Sequence, residues 1–345
     1  MSLPPELTPA PPAPGAVPAL PEARSRTLVL APGPHLHAAE STASIMWWVN
    51  GSLVPLVLWG GFVFGGRALV VVAAAIAGAV AAEWGALRLL RRRATVADGS
   101  AVCTGLLLAL TLPPLVPPWQ ALLGGVFAIL IGKVIFGGLG FNLFNPALVG
   151  RAFMMASFPL AMSTGWATSR PWFDGGLAAV TTATPLAALK EHGLAAALAA
   201  VQGNVWVGLA LGFRPGSIGE VSIVLVALGA AVLLVRGIIR LAIPVSVLAG
   251  VAITTAFSGA PLLHLMSGGL WLGAFFMATD YVTSPRTRGG QIAFGLVIGL
   301  LTGVIRLYGG YPEGICYAIL LANALVPAFD MWFPPRRVAA VGAPS

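Results

Sequence analysis

Charge is scarce in this chain. Only 9% of its 345 residues are Asp, Glu, Lys or Arg, against about 25% in an ordinary soluble domain. Cysteine is scarcer still: Cys103 and Cys316 stand alone, no Cys-x-x-Cys occurs, and the four His are scattered. That excludes an iron–sulfur, haem or zinc site built by the chain alone, and no metal ligands are assigned. Nor does a Gly-rich nicotinamide-binding motif follow a strand pattern. Any redox role therefore needs an organic cofactor or a partner's centres. What the chain has is apolar surface: 58% of residues are hydrophobic, with several runs long enough to cross about 30 Å of hydrocarbon. Open sheets cannot span lipid, so the expected fold is an all-α polytopic membrane protein. The net charge of +8 falls mainly in short loops, where it orients helices, and does not point to nucleic acid.

Residues 1–33 are rich in Pro and Ala, lack the hydrophobic core of a signal peptide, and read as a disordered tail. The membrane domain is expected over 34–335, followed by a short tail at 336–345. Spans are expected at roughly 45–64, 68–90, 99–116, 119–136 and 147–162, then at 221–235, 242–260, 266–283, 290–308 and 313–332. Arg88, Arg91, Arg92 and Arg93 close the second span, which places that loop and both termini in the cytoplasm. Residues 194–213 are apolar enough to cross but carry Gln202 and Asn204. If they crossed, Arg236, Arg240, Arg286, Arg288, Arg336 and Arg337 would all lie outside; if they lie at the interface or re-enter, all six lie inside, as the positive-inside rule requires. About ten spans result, compatible with two inverted five-helix halves, although no clear sequence repeat is present. Trp47, Trp48, Trp119, Trp166, Trp172 and Trp332 fall near span ends as an interfacial belt.

Polar breaks cluster near both membrane faces. The outer-face region 163–220 contains Thr181, Thr182 and Thr184 among small residues. Pro185 prevents a helix from running unperturbed through Thr184. Its hydroxyl is thus either a helix cap or a group open to a modifying enzyme or ligand phosphate. The 212–220 loop, with Gly216 and Glu220, shares that face, as do residues 309–314. On the inner face, Gly137–Pro146, with Asn142 and Asn145, meets Asp280–Pro285, with Thr283. Broken backbone at membrane depth is tolerated only when buried in protein or lining a cavity. Asn142 and Asn145 suit the donor and acceptor edge of a ring, or satisfy broken helix ends. Glu83 and Asp280 are the carboxylates to weigh for ion coupling. Glu83 can instead pair with Lys133 or Arg88, and Asp280 can simply be hydrated. His35 and His37 are interfacial residues rather than ligands, and Lys133 can snorkel to the inner face.

The stretches Pro34–Met46, Thr104–Pro114, Gly132–Arg151, Thr181–Leu186, Gly216–Glu220, Thr279–Pro285 and Arg306–Pro327 together resemble the D-type component of Rnf electron-transport complexes. That component is grouped with the B-type component of the sodium-pumping NADH:quinone reductase. The resemblance covers nearly everything after residue 33. It implies an FMN joined by a phosphoester to Thr184, installed on the outer face by a flavin transferase, with Thr181 and Thr182 as secondary candidates and Gly216 and Glu220 near the cofactor. A noncovalent riboflavin near Asn142, Asn145 and Thr283 is the second implied flavin. The chain departs from many flavinylation sites, having Ala178 and Ala179 where Asp and Gly are common. The resemblance further implies a multi-pass protein of the bacterial inner membrane with A-, B-, C-, E- and G-type Rnf components as partners. Such a protein relays electrons coupled to sodium or proton export, with little turnover alone. The alternatives are a flavin-free channel or small-solute transporter, a scaffold component that is never modified, and the quinone-reductase branch of the same family.

Overall fold

The computed structural model describes residues 41–92, 96–167, 183–201, 203–220, 222–311 and 313–335. The two expected tails, and with them His35, His37, Trp172, Ala178, Ala179, Thr181 and Thr182, lie outside the described residues. Every regular element among the described residues is helical. The first half runs through α1 (Thr42–Phe64), α2 (Gly66–Leu89), α3 (Ser100–Leu110), α4 (Pro118–Ile129), α5 (Pro146–Ser157) and α6 (Pro159–Thr164). Three short helices follow: α7 (Pro185–His192), α8 (Leu194–Ala199) and α9 (Val205–Leu211). The second half contains α10 (Ile223–Val235), α11 (Ala242–Thr255), α12 (Pro261–Met266), α13 (Leu270–Leu272), α14 (Arg288–Tyr308), α15 (Ile315–Ala324) and α16 (Val326–Trp332). Helix α4 continues into a π-turn at Leu130–Val134, and α13 into another at Gly273–Met277.

All ten expected spans contain a helix, but few are continuous. Among the described residues α1, α2 and α14 are each long and apolar enough to cross a membrane, and α15 with α16, bent by 56° at the break between them, is long and apolar enough when taken together. The third expected span stops at Leu110, because Thr111–Pro118 carries four prolines that cannot extend the hydrogen-bond ladder. The fifth breaks at Phe158, ahead of Pro159. The eighth is helical only over Leu270–Met277 and finishes as irregular chain. Neither α8 nor α9, at six and seven residues, could cross, since each rises only about 10 Å.

The plan recurs after five spans. Second packs on fourth (α2 on α4) and seventh on ninth (α11 on α14), both through glycine. Third and eighth are short, and fifth and tenth are both broken beside proline. At α2–α4, a methyl added to Gly78 would strike the Leu122 carbonyl and one added to Gly125 the Ala75 carbonyl. At α11–α14, a Cβ on Gly295 would lie 2.7 Å from the Ile243 carbonyl, and one on Gly250 2.8 Å from that of Leu296. In lipid, where no hydrophobic force draws helices together, this backbone-to-backbone approach supplies the packing attraction. Leu53, Leu108, Leu148, Met154 and Phe294 are fully buried between the helices, whereas Leu58, Leu160, Val235 and Phe257 point outward.

Gly299→Ala, which drives a methyl into the Val247 carbonyl, is expected to destabilise the protein by about 1–3 kcal/mol. Gly51→Ala, in the open face of α1 with nothing within 4 Å, should be neutral or stabilising by up to about 1 kcal/mol. Equilibrium unfolding in a mild detergent checks both; equal effects would refute the close-packing account.

Candidate functional sites at the two ends of the bundle

Helix α14, at 21 residues about 30 Å long, separates two buried polar regions. One gathers around Arg306 near its end, the other around Asp280 and Thr283 just before its start.

At the Arg306 end, three guanidinium groups hold chain segments where helices stop. Arg151 from α5 donates to the Thr111 carbonyl just past α3 and pairs with Glu313. Arg306 donates to the carbonyls of Glu313 (2.9 Å), Ser267 (3.0 Å) and His264. Arg214 donates to Met266 (2.8 Å) and Glu220 (3.0 Å) carbonyls. The segment carrying Glu220 lies against the open end of α3: Gly219 N–H donates to Leu110 at 2.7 Å and Ile218 N–H to Leu112 at 3.1 Å. Only glycine fits at 219, where a Cβ would sit 2.6 Å from that of Leu110. Glu220 Oε2 accepts from Ser217 N–H at 3.4 Å, and the Glu220 and Glu313 carboxyls face each other. Burial pushes Arg214 below its ordinary value, opposed by Glu220 and then Glu313. Burial and the Arg306 charge hold His264 down to about 4, so this imidazole, in the connector between α11 and α13, stays neutral near pH 7.

Thr184 belongs to this end. Its hydroxyl accepts from Ala187 N–H at 3.3 Å and caps α7, Pro185 occupies the first helical position, and the side chain is only 6% exposed. With Arg214, Pro215, Glu220, Gly268 and Glu313 it lines a narrow crevice. Gly216 sits close by, where a Cβ would meet Glu220 Oε2 at 3.2 Å. The residues suit an esterified phosphate in three respects. Three arginines against two carboxylates leave at least one positive charge. The hydroxyls of Ser217 and Ser267 are buried with no partner among the described residues. Thr184 stands at a helix N-terminus, where free N–H groups favour an anion.

At the other end the buried holding groups are amides, with the exposed Arg92 donating to the Gly137 carbonyl at 3.1 Å at the rim. Asn145 caps α5 through Ala147 (3.0 Å) and Leu148 (3.4 Å) N–H while its Nδ2 donates to Met277 O at 3.1 Å, at the end of the π-turn. Asn323, in the amide orientation that satisfies both its atoms, donates to Thr283 O at 3.0 Å and accepts from Asn145 N–H at 3.1 Å. Asn50 donates to Gly99 O at 3.0 Å. Thr283 donates to Asp280 at 3.2 Å. Asn142, Asn145, Asp280 and Lys133 line one cleft, with Phe275 and Phe276, around some 780 Å³ of empty space; Thr283 lies behind Asp280. The Asn142 side-chain oxygen has no partner among the described residues. The cleft has mostly apolar walls, with an orphaned acceptor and a few polar groups, the chemical make-up common to sites for ring systems.

Glu83 does not line the cleft; it pairs with Lys133 at 2.8 Å, both side chains 3% exposed. Lys133 is fully engaged rather than snorkelling, since it also donates to Ser100 Oγ at 2.6 Å, and Ser100 in turn donates to Asp98. Sequence reasoning missed Ser100 and Asp98, which carry no motif. It reached Arg151 and Arg306 only as ends of motif stretches and Glu313 only within the 309–314 loop, and could not join them, since the Arg151–Glu313 pairing bridges 162 positions.

An all-helical bundle whose helices break into buried polar chain at both ends defines a multi-pass membrane protein of the transporter-like, broken-helix kind. Residues 29–339 match the NQR2, RnfD, RnfE family, and the chain belongs to that family. It is 44% identical over 324 residues to the D component of the proton-translocating ferredoxin:NAD(+) oxidoreductase complex of Clostridium ljungdahlii, covering 91% of this chain and 97% of that one. It is also 44% identical over 311 residues to the D component of the Na(+)-translocating ferredoxin:NAD(+) oxidoreductase complex of Acetobacterium woodii, covering 90% and 94%. The D component of an ion-translocating oxidoreductase complex of Stutzerimonas stutzeri is 40% identical, covering 86% and 92%.

Arg151→Met alone should cost about 3–5 kcal/mol, because it strands a buried carboxylate, and Arg151→Met with Glu313→Leu should recover much of that. A double-mutant cycle by thermal unfolding reads the coupling. Strict additivity of the two losses would show that the pair does not interact.

Proposed function

We propose that this chain is the D-type membrane component of an Rnf-type, ion-translocating ferredoxin:NAD oxidoreductase and that it relays electrons through FMN esterified to Thr184. The relatives' names support the complex, and the setting of Thr184 supports the attachment point. The observation that carries the reading is the buried Thr184 hydroxyl beside a cluster with at least one uncompensated positive charge. A phosphodiester there would bring one negative charge.

Bound FMN would supply electron acceptance and release, singly or in pairs. The chain's own part is to fix the ester oxygen at the α7 N-terminus, to offer the Leu186 and Ala187 N–H groups, and to set Arg214 beside it. A covalent tether also prevents loss by dilution on an outer face. In this reading the Thr184 end faces outward, the Asp280 end faces the cytoplasm with both termini, and the membrane is the bacterial inner membrane. The cleft of Asn142, Asn145 and Asp280 would take the riboflavin, with Thr283 supporting Asp280. Glu83 and Asp280 are the carboxylates proposed for ion coupling. Ferredoxin and nicotinamide sites would come from A-, B-, C-, E- and G-type partners, and a flavin transferase would mature the chain.

Peptide mass spectrometry after co-expression with a flavin transferase tests the attachment. The Thr184 peptide should gain one FMN less water, and Thr184→Val should abolish the gain. Wild-type chain left unmodified while a control substrate is flavinylated would favour the scaffold or transporter reading.

A further inference from the structure

A second cavity opens beside Thr184. It holds about 820 Å³ of empty space, part of it open to the surface, between α7, the connector after α11, α12 and the end of α14. Leu186 and Leu189 from α7, with Leu194 and Leu307, form apolar walls, and Arg306 and His264 form the buried polar part. His264 is 4% exposed, and its Nδ1 has no partner among the described residues. A buried ring nitrogen without a partner costs on the order of 1–3 kcal/mol. Arg306 directs three hydrogen bonds to carbonyls, which leaves two of its five N–H groups for a further acceptor.

The Thr184 crevice and this cavity share a wall. Leu186 lines both. Gly268 keeps the partition thin, since a Cβ there would lie 2.8 Å from Arg306 Nη2 and 2.9 Å from a Leu186 methyl. Leu186 and Leu189 follow Thr184 by two and five residues on one helix, about 3 to 8 Å along its axis. A group esterified at Thr184 thus begins within two turns of the cavity. The lining is part apolar, from the leucines, and part polar, from Arg306, His264, Ser258 and Lys190, a make-up that suits a flat ring with one hydrogen-bonding edge.

We propose that this cavity is the binding site for the three-ring head of the flavin tethered at Thr184, with Arg306 and His264 meeting its polar edge and Leu186 and Leu189 packing on its faces. The inference rests on the attachment at Thr184 and adds where the ring goes. A guanidinium held against the acceptor edge of the ring stabilises its electron-rich, reduced form, so Arg306 and His264 become positioning residues that set the potential.

The test uses the full chain purified with its complex after co-expression with a flavin transferase. Leu189→Trp fills the cavity, His264→Leu removes the unpartnered nitrogen, and neither touches the attachment point. Both variants should carry the FMN adduct on the Thr184 peptide. The visible circular dichroism of the flavin should fall about threefold or more in Leu189→Trp as the ring leaves its asymmetric site. His264→Leu should shift the midpoint potential. Adduct-bearing variants with wild-type dichroism and wild-type potential would overturn the proposal. So would loss of the adduct from both, because the attachment point would then depend on the cavity in a way the proposal denies. Wild-type protein without adduct would instead sink the reading of Thr184.

Discussion

The fold depends on one constraint: main-chain carbonyls freed where helices break must find donors inside the protein. In water these groups would be hydrated, but at membrane depth each unsatisfied one costs several kcal/mol. The chain meets this with side-chain donors from distant segments. Thr111 O just past α3 is taken by Arg151, Met266 O at the end of α12 by Arg214, and Ser267 and Glu313 carbonyls by Arg306. At the other end Gly99, Met277 and Thr283 carbonyls are taken by Asn50, Asn145 and Asn323.

The choice of donor divides the molecule. Guanidinium groups bring charge that must be balanced, and Glu220 and Glu313 balance only part of it. The Arg306 end is therefore pre-set for an anion. Carboxamides bring no net charge, so the Asn145 end holds the same kind of broken backbone while remaining suited to a neutral ring. A phosphate-bearing flavin at one end and a phosphate-free one at the other would follow this division. The two carboxylates weighed for ion coupling belong to the uncharged-donor end, where Lys133 already compensates Glu83 and Asp280 is held by Thr283 rather than by a cation.

Much of this was legible in the residues, for definite reasons. Hydropathy located all ten helical segments, because a run that must lie in hydrocarbon can contain little else. The breaks beside Pro159 and Pro327 were not foreseen within the expected spans 147–162 and 313–332, although ring chemistry explains them. The stop at Leu110 was legible only in part: the prolines of Thr111–Pro118 forbid continuation, but no local pattern announces that Ile218 and Gly219 arrive from over a hundred residues away to take the carbonyls freed there. Thr184, Gly216 and Glu220 could be grouped in advance by loop and face. Their neighbours Arg151, Arg306 and Glu313 could not be joined to them, since no local pattern encodes a contact between α5 and the turn before α15. The Lys133–Ser100–Asp98 chain was hidden likewise: a serine opening an apolar helix reads as a cap whether or not it also receives a lysine.

Relatives equally similar to this chain carry names with different ions, proton in one case and sodium in the other. The shared architecture therefore does not itself select the ion. In the proposed reading, selection would lie in details that broken backbone leaves adjustable: which carbonyls remain uncovered, how close a carboxylate stands to its compensating cation, and how many oxygens can converge. A dehydrated sodium ion needs several oxygen ligands at once, whereas a proton needs one acceptor and a path. A carboxylate already held by an ammonium at 2.8 Å, as Glu83 is by Lys133, offers a bare cation little unless the lysine withdraws. A carboxylate held by neutral donors, as Asp280 is by the Thr283 hydroxyl, the Val282 N–H and the Asn142 amide, offers either ion an acceptor without first displacing a charge.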